Sequence, residues 1–145
     1  GKAYLAYMNP DERVRLLAAA EDAEEGPPID KAALAVARSG QVFEEIRSRG
    51  FAASGRNKHT ATPGKTSSIA APIFDQGEVV ASIALVFFAS SMTIQQAIDT
   101  FATPLRETAA EISDRMVKAR AQGPQPGEAA SGRARSVAFE QRPEA

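Results

Sequence analysis

The sequence predicts an α+β domain in which helices cover an antiparallel sheet. Two observations carry this. Two apolar runs, 66–74 (TSSIAAPIF) and 78–88 (EVVASIALVFF), are joined by Asp75-Gln76-Gly77, a compact hairpin signal. Around them the order of patterns is helix, helix, short strand, strand, strand, long helix.

Each element has its own local reason. The opening GKAYLAY is helix-compatible, with Leu5 and Met8 at i, i+3 spacing. A second helix follows in NPDERVRLLAAAE: Asn9 is a good N-cap, Pro10 suits the first helical position, and Asp11 and Glu12 favour the positive helix end. Val14, Leu17 and Ala18 give it an apolar stripe, and EEGPPID (24–30) ends it. Asp30 is expected to cap a third helix over 31–49, with Leu34, Ala37, Val42, Phe43 and Ile46 as its stripe, interrupted at Ser39-Gly40. Gly50 is placed as the glycine just past its end, and 51–54 (FAAS) is a short strand.

In 78–88 both alternating faces are mostly apolar, so both are expected to be covered. Pro72 argues for an edge position or a bulge in the preceding strand. Thr93-Ile94-Gln95-Gln96 fits a capping box. From there Ile94, Ile98, Phe101, Leu105, Ile112 and Met116 carry a helix to about residue 120, with a kink expected at Pro104. Residues 1–120 therefore read as one domain, and 121–145, rich in Gly, Pro, Ala and charge, as a disordered tail. Three strands are few for this much helix, which suggests partner strands missing at the N-terminus.

Composition bounds the function. The 145 residues suffice for one core, and a net charge of -1 with 24% charged residues gives no basic nucleic-acid surface. With no cysteine, disulfides, thiolate metal sites and cysteine nucleophiles are excluded, and a cytoplasmic location is compatible. No signal peptide or membrane span is visible, and no membrane partner is expected. The one histidine, His59, lies beside Lys58, which disfavours a metal cation, and no cofactor is expected. Ser67 and Ser68 with His59 could formally make a hydrolase, but no GxSxG elbow is present. Gly64-Lys65-Thr66 mimics the end of a P-loop yet leads into a strand rather than a helix. What remains is a loop with Arg56, Lys58, His59 and Lys65, leading into Thr66, Ser67 and Ser68. It reads either as a site for a small anion beside an apolar floor or as a solvated basic loop.

The segments GKAYLAYMNPDERVRLL, IRSRGFA and SSIAAPIFDQGEVVASIALV, followed by the helix from ASSMT to EIS, resemble the effector-binding domain of the IclR family of bacterial transcription regulators. The family's run of small residue, aliphatic, small residue, two positions, aliphatic, aromatic and Asp is met by Ser68-Ile69-Ala70-Ala71-Pro72-Ile73-Phe74-Asp75. The resemblance covers about residues 1–117. KTSSIAAPI and LVFFAS look most like the subgroup controlling aromatic-acid catabolism, typified by hydroxyphenylpropionate regulators.

The resemblance implies a GAF-like fold, an antiparallel sheet flanked by helices and here truncated at the N-terminus. It implies a small aromatic or other carboxylic acid as effector, no catalysis, and dimers or tetramers. DNA would be bound only through an N-terminal winged helix-turn-helix that this sequence does not contain. By position, Ser68 matches the signature residue that faces the ligand. Ala84 and Val86 match two strand positions that are serine in relatives with small 2-oxo-acid effectors, and Gly1 borders a backbone contact. Ala61 and Lys58 depart from the family, which has Glu at the first and Asp or Ser at the second. The expected site therefore sets Ser67, Ser68, Arg56 and His59 on the polar groups and Ala84, Val86 and Phe88 on the apolar part. A ligand-free oligomerisation module is the alternative, and a Ser/His hydrolase on the same scaffold a more distant one.

Overall fold

The computed structural model describes residues 1–22, 38, 40–58 and 63–123. The elements are α1 (Lys2–Tyr7), α2 (Pro10–Asp22), α3 (Gln41–Arg49), β1 (Ala52–Ser54), β2 (Thr66–Asp75), β3 (Glu78–Phe88) and α4 (Ile94–Gln122). The three strands form one antiparallel sheet in the order β1-β2-β3. Helix α4 packs on one face, against β2; α1 lies on the other, backed by α3. This is the α+β arrangement that the hairpin and its flanking helices predict.

β2 sorts its side chains by alternation. Ser67, Ile69, Ala71, Ile73 and Asp75 are buried on the α4 side, where Ala71 and Ile73 meet Ala109 and are joined by Ile83, Leu105 and Ile112. Ala70 turns the other way, toward a cluster of Ala3, Ala6, Phe43, Ile46 and Ala52. The turn residues Gln76 (φ 53°) and Gly77 (φ 85°) both adopt positive φ, as a two-residue hairpin that follows strand twist requires.

Pro72 is in the central strand, not at an edge. It is tolerated because β1 has already ended: its last pair is Ala52 with Ala70, two residues earlier. The alternative reading of Pro72 also has a counterpart, a register shift between Ile73 and Phe74. The Phe74 N–H there goes to Ser113 Oγ (2.9 Å), which in turn donates to the Ala109 carbonyl (2.8 Å), tying α4 to the sheet.

The helix ends follow their local chemistry. Asn9 Oδ1 accepts from the Asp11 N–H at 2.9 Å, and Thr93 with Gln96 completes the capping box. Gly50 sits at φ 78°, its N–H bonded to the Ile46 carbonyl, and a Cβ there would lie 2.8 Å from Arg106 Nε. The late carbonyls of α1 are met by two guanidinium groups: Arg13 donates to Leu5 O at 3.1 Å, and Arg47 to Ala6 O. Arg13 also stacks 4.6 Å over the Phe43 ring. These contacts fix α1 against α3, and α1 is one wall of the site below.

Several expectations change. A single helix over 31–49 does not form, because Gly40 adopts a left-handed conformation (φ 77°, ψ -20°) directly before α3; Asp30, Leu34 and Ala37 lie outside the described residues. The α2 stripe is not a core stripe, since Val14 is 65% exposed and Ala18 is exposed. Helix α4 runs to Gln122 with Pro104 inside it and Gly123 as its C-cap, and residues 124–145 of the expected tail lie outside the described residues. β3 is not covered on both faces: Ile83, Leu85 and Phe87 are partly buried, whereas Val86 and Phe88 are 63% and 64% exposed.

Candidate functional site

A cleft of about 680 Å³ opens on the α1 side of the sheet. Strand pairing explains its floor, because directly paired residues share a face. Ser54 pairs with Ser68 and Ser68 with Val86; Ala52 pairs with Ala70 and Ala70 with Ala84; Pro72 pairs with Ser82. The floor is thus banded, with hydroxyls at Ser54 and Ser68, then alanines, then the hydroxyl of Ser82. The walls are the start of α1 (Gly1, Lys2, Ala3) and the loop Gly55–Lys58.

The electrostatics are one-sided. Lys2, Arg56 and Lys58 line the cleft, and no Asp or Glu does among the described residues. Lys2 Nζ donates to Ser54 Oγ at 3.2 Å, which holds the ammonium at the hydroxyl end. Arg56 carries an unusual backbone (φ 46°), stabilised by the donation of its N–H to Ser67 Oγ at 3.0 Å. Asn57 N–H to Thr66 O (2.7 Å) and Gly64 N–H to Asn57 O (2.8 Å) pin the loop base to β2.

The expected site residues separate accordingly. Gly1, Arg56, Ser68 and Ala84 line the cleft together. Ser67 does not: it is 3% exposed on the α4 side of β2 and serves the Arg56 backbone instead. Val86, directly opposite Ser68, and Phe88, two residues further along, share the strand face of Ser68 and Ala84 but do not line the cleft; both are mostly exposed on the edge strand. His59 and Ala61 lie outside the described residues. Lys2, Ser54 and Ser82 were missed. Ser82 was open to the alternation rule, because it shares a face with Ala84, whereas the meeting of Lys2 and Ser54, 52 residues apart, has no local signal.

A smaller cleft of about 210 Å³ lies between α4 and the far end of β2, beside Tyr7, Phe74 and Arg106. Tyr7 and Phe74 meet edge to face there, with centroids 5.1 Å apart. Among the described residues no group of three or more His, Asp or Glu could hold a metal, and no helix is long and apolar enough to cross a membrane.

An antiparallel sheet between two helical layers, with a cation-rimmed cleft on one face, is the build of a ligand-receiving domain. The chain matches the family described as bacterial transcriptional regulator IclR, C-terminal, over residues 1–114, and it belongs to that family. It is a regulator's effector-binding domain and not an enzyme. Solved structures share the fold. One is a putative IclR-type transcriptional regulator from Silicibacter sp. TM1040, at 26% identity and a TM-score of 0.62, covering 80% of this chain and 42% of that one. Another is the Agobacterium tumefaciens repressor BlcR, at 21% identity and a TM-score of 0.59, covering 80% and 44%. A third is a double mutant of the PobR inducer-binding domain from Acinetobacter in complex with 3-hydroxybenzoic acid, at 17% identity and a TM-score of 0.58, covering 77% and 62%. The chain spans under half the length of the first two. Among curated proteins none matches.

Proposed function

We propose that this domain binds a small carboxylic acid, preferentially an aromatic one, and that occupancy controls DNA binding by an intact cytoplasmic regulator assembled as a dimer or tetramer. The observation that carries the reading is the cleft itself: three cationic side chains and no carboxylate among its described lining residues, above a floor of alanines edged by hydroxyls. Lys2, Arg56 and Lys58 hold the acid; Ser68 and Ser54 donate to it; Ala70 and Ala84 receive the hydrocarbon. Gly1 closes the wall, and His59 is placed by sequence next to Lys58. The PobR domain's complex with 3-hydroxybenzoic acid supports an aromatic acid as the class. Binding involves no chemistry, and its effect is a shift between quaternary arrangements.

Titration of 3-(3-hydroxyphenyl)propionate, benzoate and related acids into the folded protein, followed by calorimetry, tests the proposal. Saturable binding that weakens about tenfold in Lys2→Met is expected. No heat and no thermal shift with any of these acids at millimolar concentration refutes it.

A further inference from the structure

The floor of the cleft has a second polar end that the acid does not use. The cations lie at the Ser54 and Ser68 end: Lys2 is bonded to Ser54, and Arg56 follows two residues later. Ser82 lies at the other end, opposite Pro72 and four residues along β2 from Ser68. Ser82 also lines the cleft; its ladder neighbours, Pro72, Ala71 and Ile73, are uncharged, and its hydroxyl makes no hydrogen bond to any described residue. Between the two ends lie only the paired alanines 52, 70 and 84.

We infer that Ser82 is a specificity residue: it reads a neutral hydrogen-bonding group at the far end of the ligand from the acid. The inference rests on the acid-binding reading above. The ligand class follows from the spacing. Four residues of strand span about 13 Å, and the step across to β3 lengthens this only slightly. Two hydrogen bonds of about 2.8 Å leave about 8 Å between the ligand's own polar atoms. The fitting ligand is an aromatic acid whose carboxylate is separated from the ring by a short spacer and whose ring carries a hydroxyl at the far side. A hydroxybenzoate is shorter than this and leaves Ser82 unpaired.

Rigid acids serve as rulers. Binding of benzoate, 4-hydroxybenzoate, cinnamate and 4-hydroxycinnamate is measured by calorimetry on the protein, on Ser82→Ala and on Ser82→Thr. The para hydroxyl is expected to strengthen cinnamate binding about tenfold, as one buried hydrogen bond does, and to add nothing to benzoate. That gain disappears in Ser82→Ala, which binds cinnamate itself unchanged, and returns in Ser82→Thr, which keeps the hydroxyl. A gain that survives in Ser82→Ala, or no gain for cinnamate, overturns the role of Ser82 and leaves the acid site standing. Failure of all four acids to bind the unaltered protein overturns both.

Discussion

Ser67 and Ser68 are neighbours in sequence, and removing either hydroxyl should do a different thing. Ser67 Oγ is buried on the α4 side and accepts the Arg56 N–H at 3.0 Å. Ser67→Ala leaves that donor, at a backbone already held at φ 46°, without its partner. The bond is only partly buried, so its loss should cost about 1 kcal/mol. In a domain of this size each kcal/mol lowers Tm by about 4 °C, so a fall of about 4 °C is expected. Acid binding should weaken only as far as Arg56 loosens. Ser68 faces the cleft and is hydrogen-bonded by its side chain to no described residue. Ser68→Ala should therefore change stability by less than about 0.5 kcal/mol. It should weaken aromatic-acid binding by about tenfold, the loss of one bond to a charged group. Urea unfolding and calorimetry on the two variants measure both quantities. Equal destabilisation by both, or undiminished acid binding in Ser68→Ala, refutes the face assignment that underlies the site.

Other outcomes follow from the packing. Gly50→Ala must hold a side chain at φ 78° and press a Cβ within 2.8 Å of Arg106 Nε, so a loss of about 1–2 kcal/mol in urea unfolding is expected, with Gly50→Asn costing less. Phe43→Ala empties the fully buried centre of the α1–α3 cluster, where Phe43 is 1% exposed, and should cost about 3–5 kcal/mol, enough to abolish a cooperative thermal transition. Val86→Lys with Phe88→Lys replaces two mostly exposed apolar residues on an edge strand; light scattering should show less aggregation, with Tm unchanged within about 2 °C.

Local rules read best from the sequence. The Asn9 cap, the Thr93 capping box, the Gly50 terminus and the Gln76-Gly77 turn each depend on a few adjacent residues, and each forms as its residues dictate. Non-local outcomes were less legible. The central place of β2 depends on where β1 stops, which Pro72 does not reveal by itself. α2 has an apolar pattern, but its exposure depends on what lies beside it. The site was half legible. Ser68, Gly1 and Ala84, named from the family resemblance, and Arg56, named from the basic loop, all line the cleft. Ser67 was grouped with them although strand alternation sends adjacent side chains to opposite faces. Val86 and Phe88 have the right face, but β3 is the edge strand, and there both side chains stay mostly exposed outside the cleft lining, although Val86 pairs with Ser68.

The alternation of β2 also separates what the protein can change from what it must keep. Ile69, Ala71 and Ile73 hold the register against α4, and slipping by one residue would turn the whole core face outward. The residues proposed to meet a ligand, Ser68 on the same strand and Ser82 and Ala84 on β3, contribute little to that grip. Selection can therefore rewrite the recognised molecule by substituting cleft positions one at a time while the scaffold stays fixed. The domain is built as a socket whose lining is replaceable, and new specificities are reachable from it without passing through an unfolded intermediate sequence.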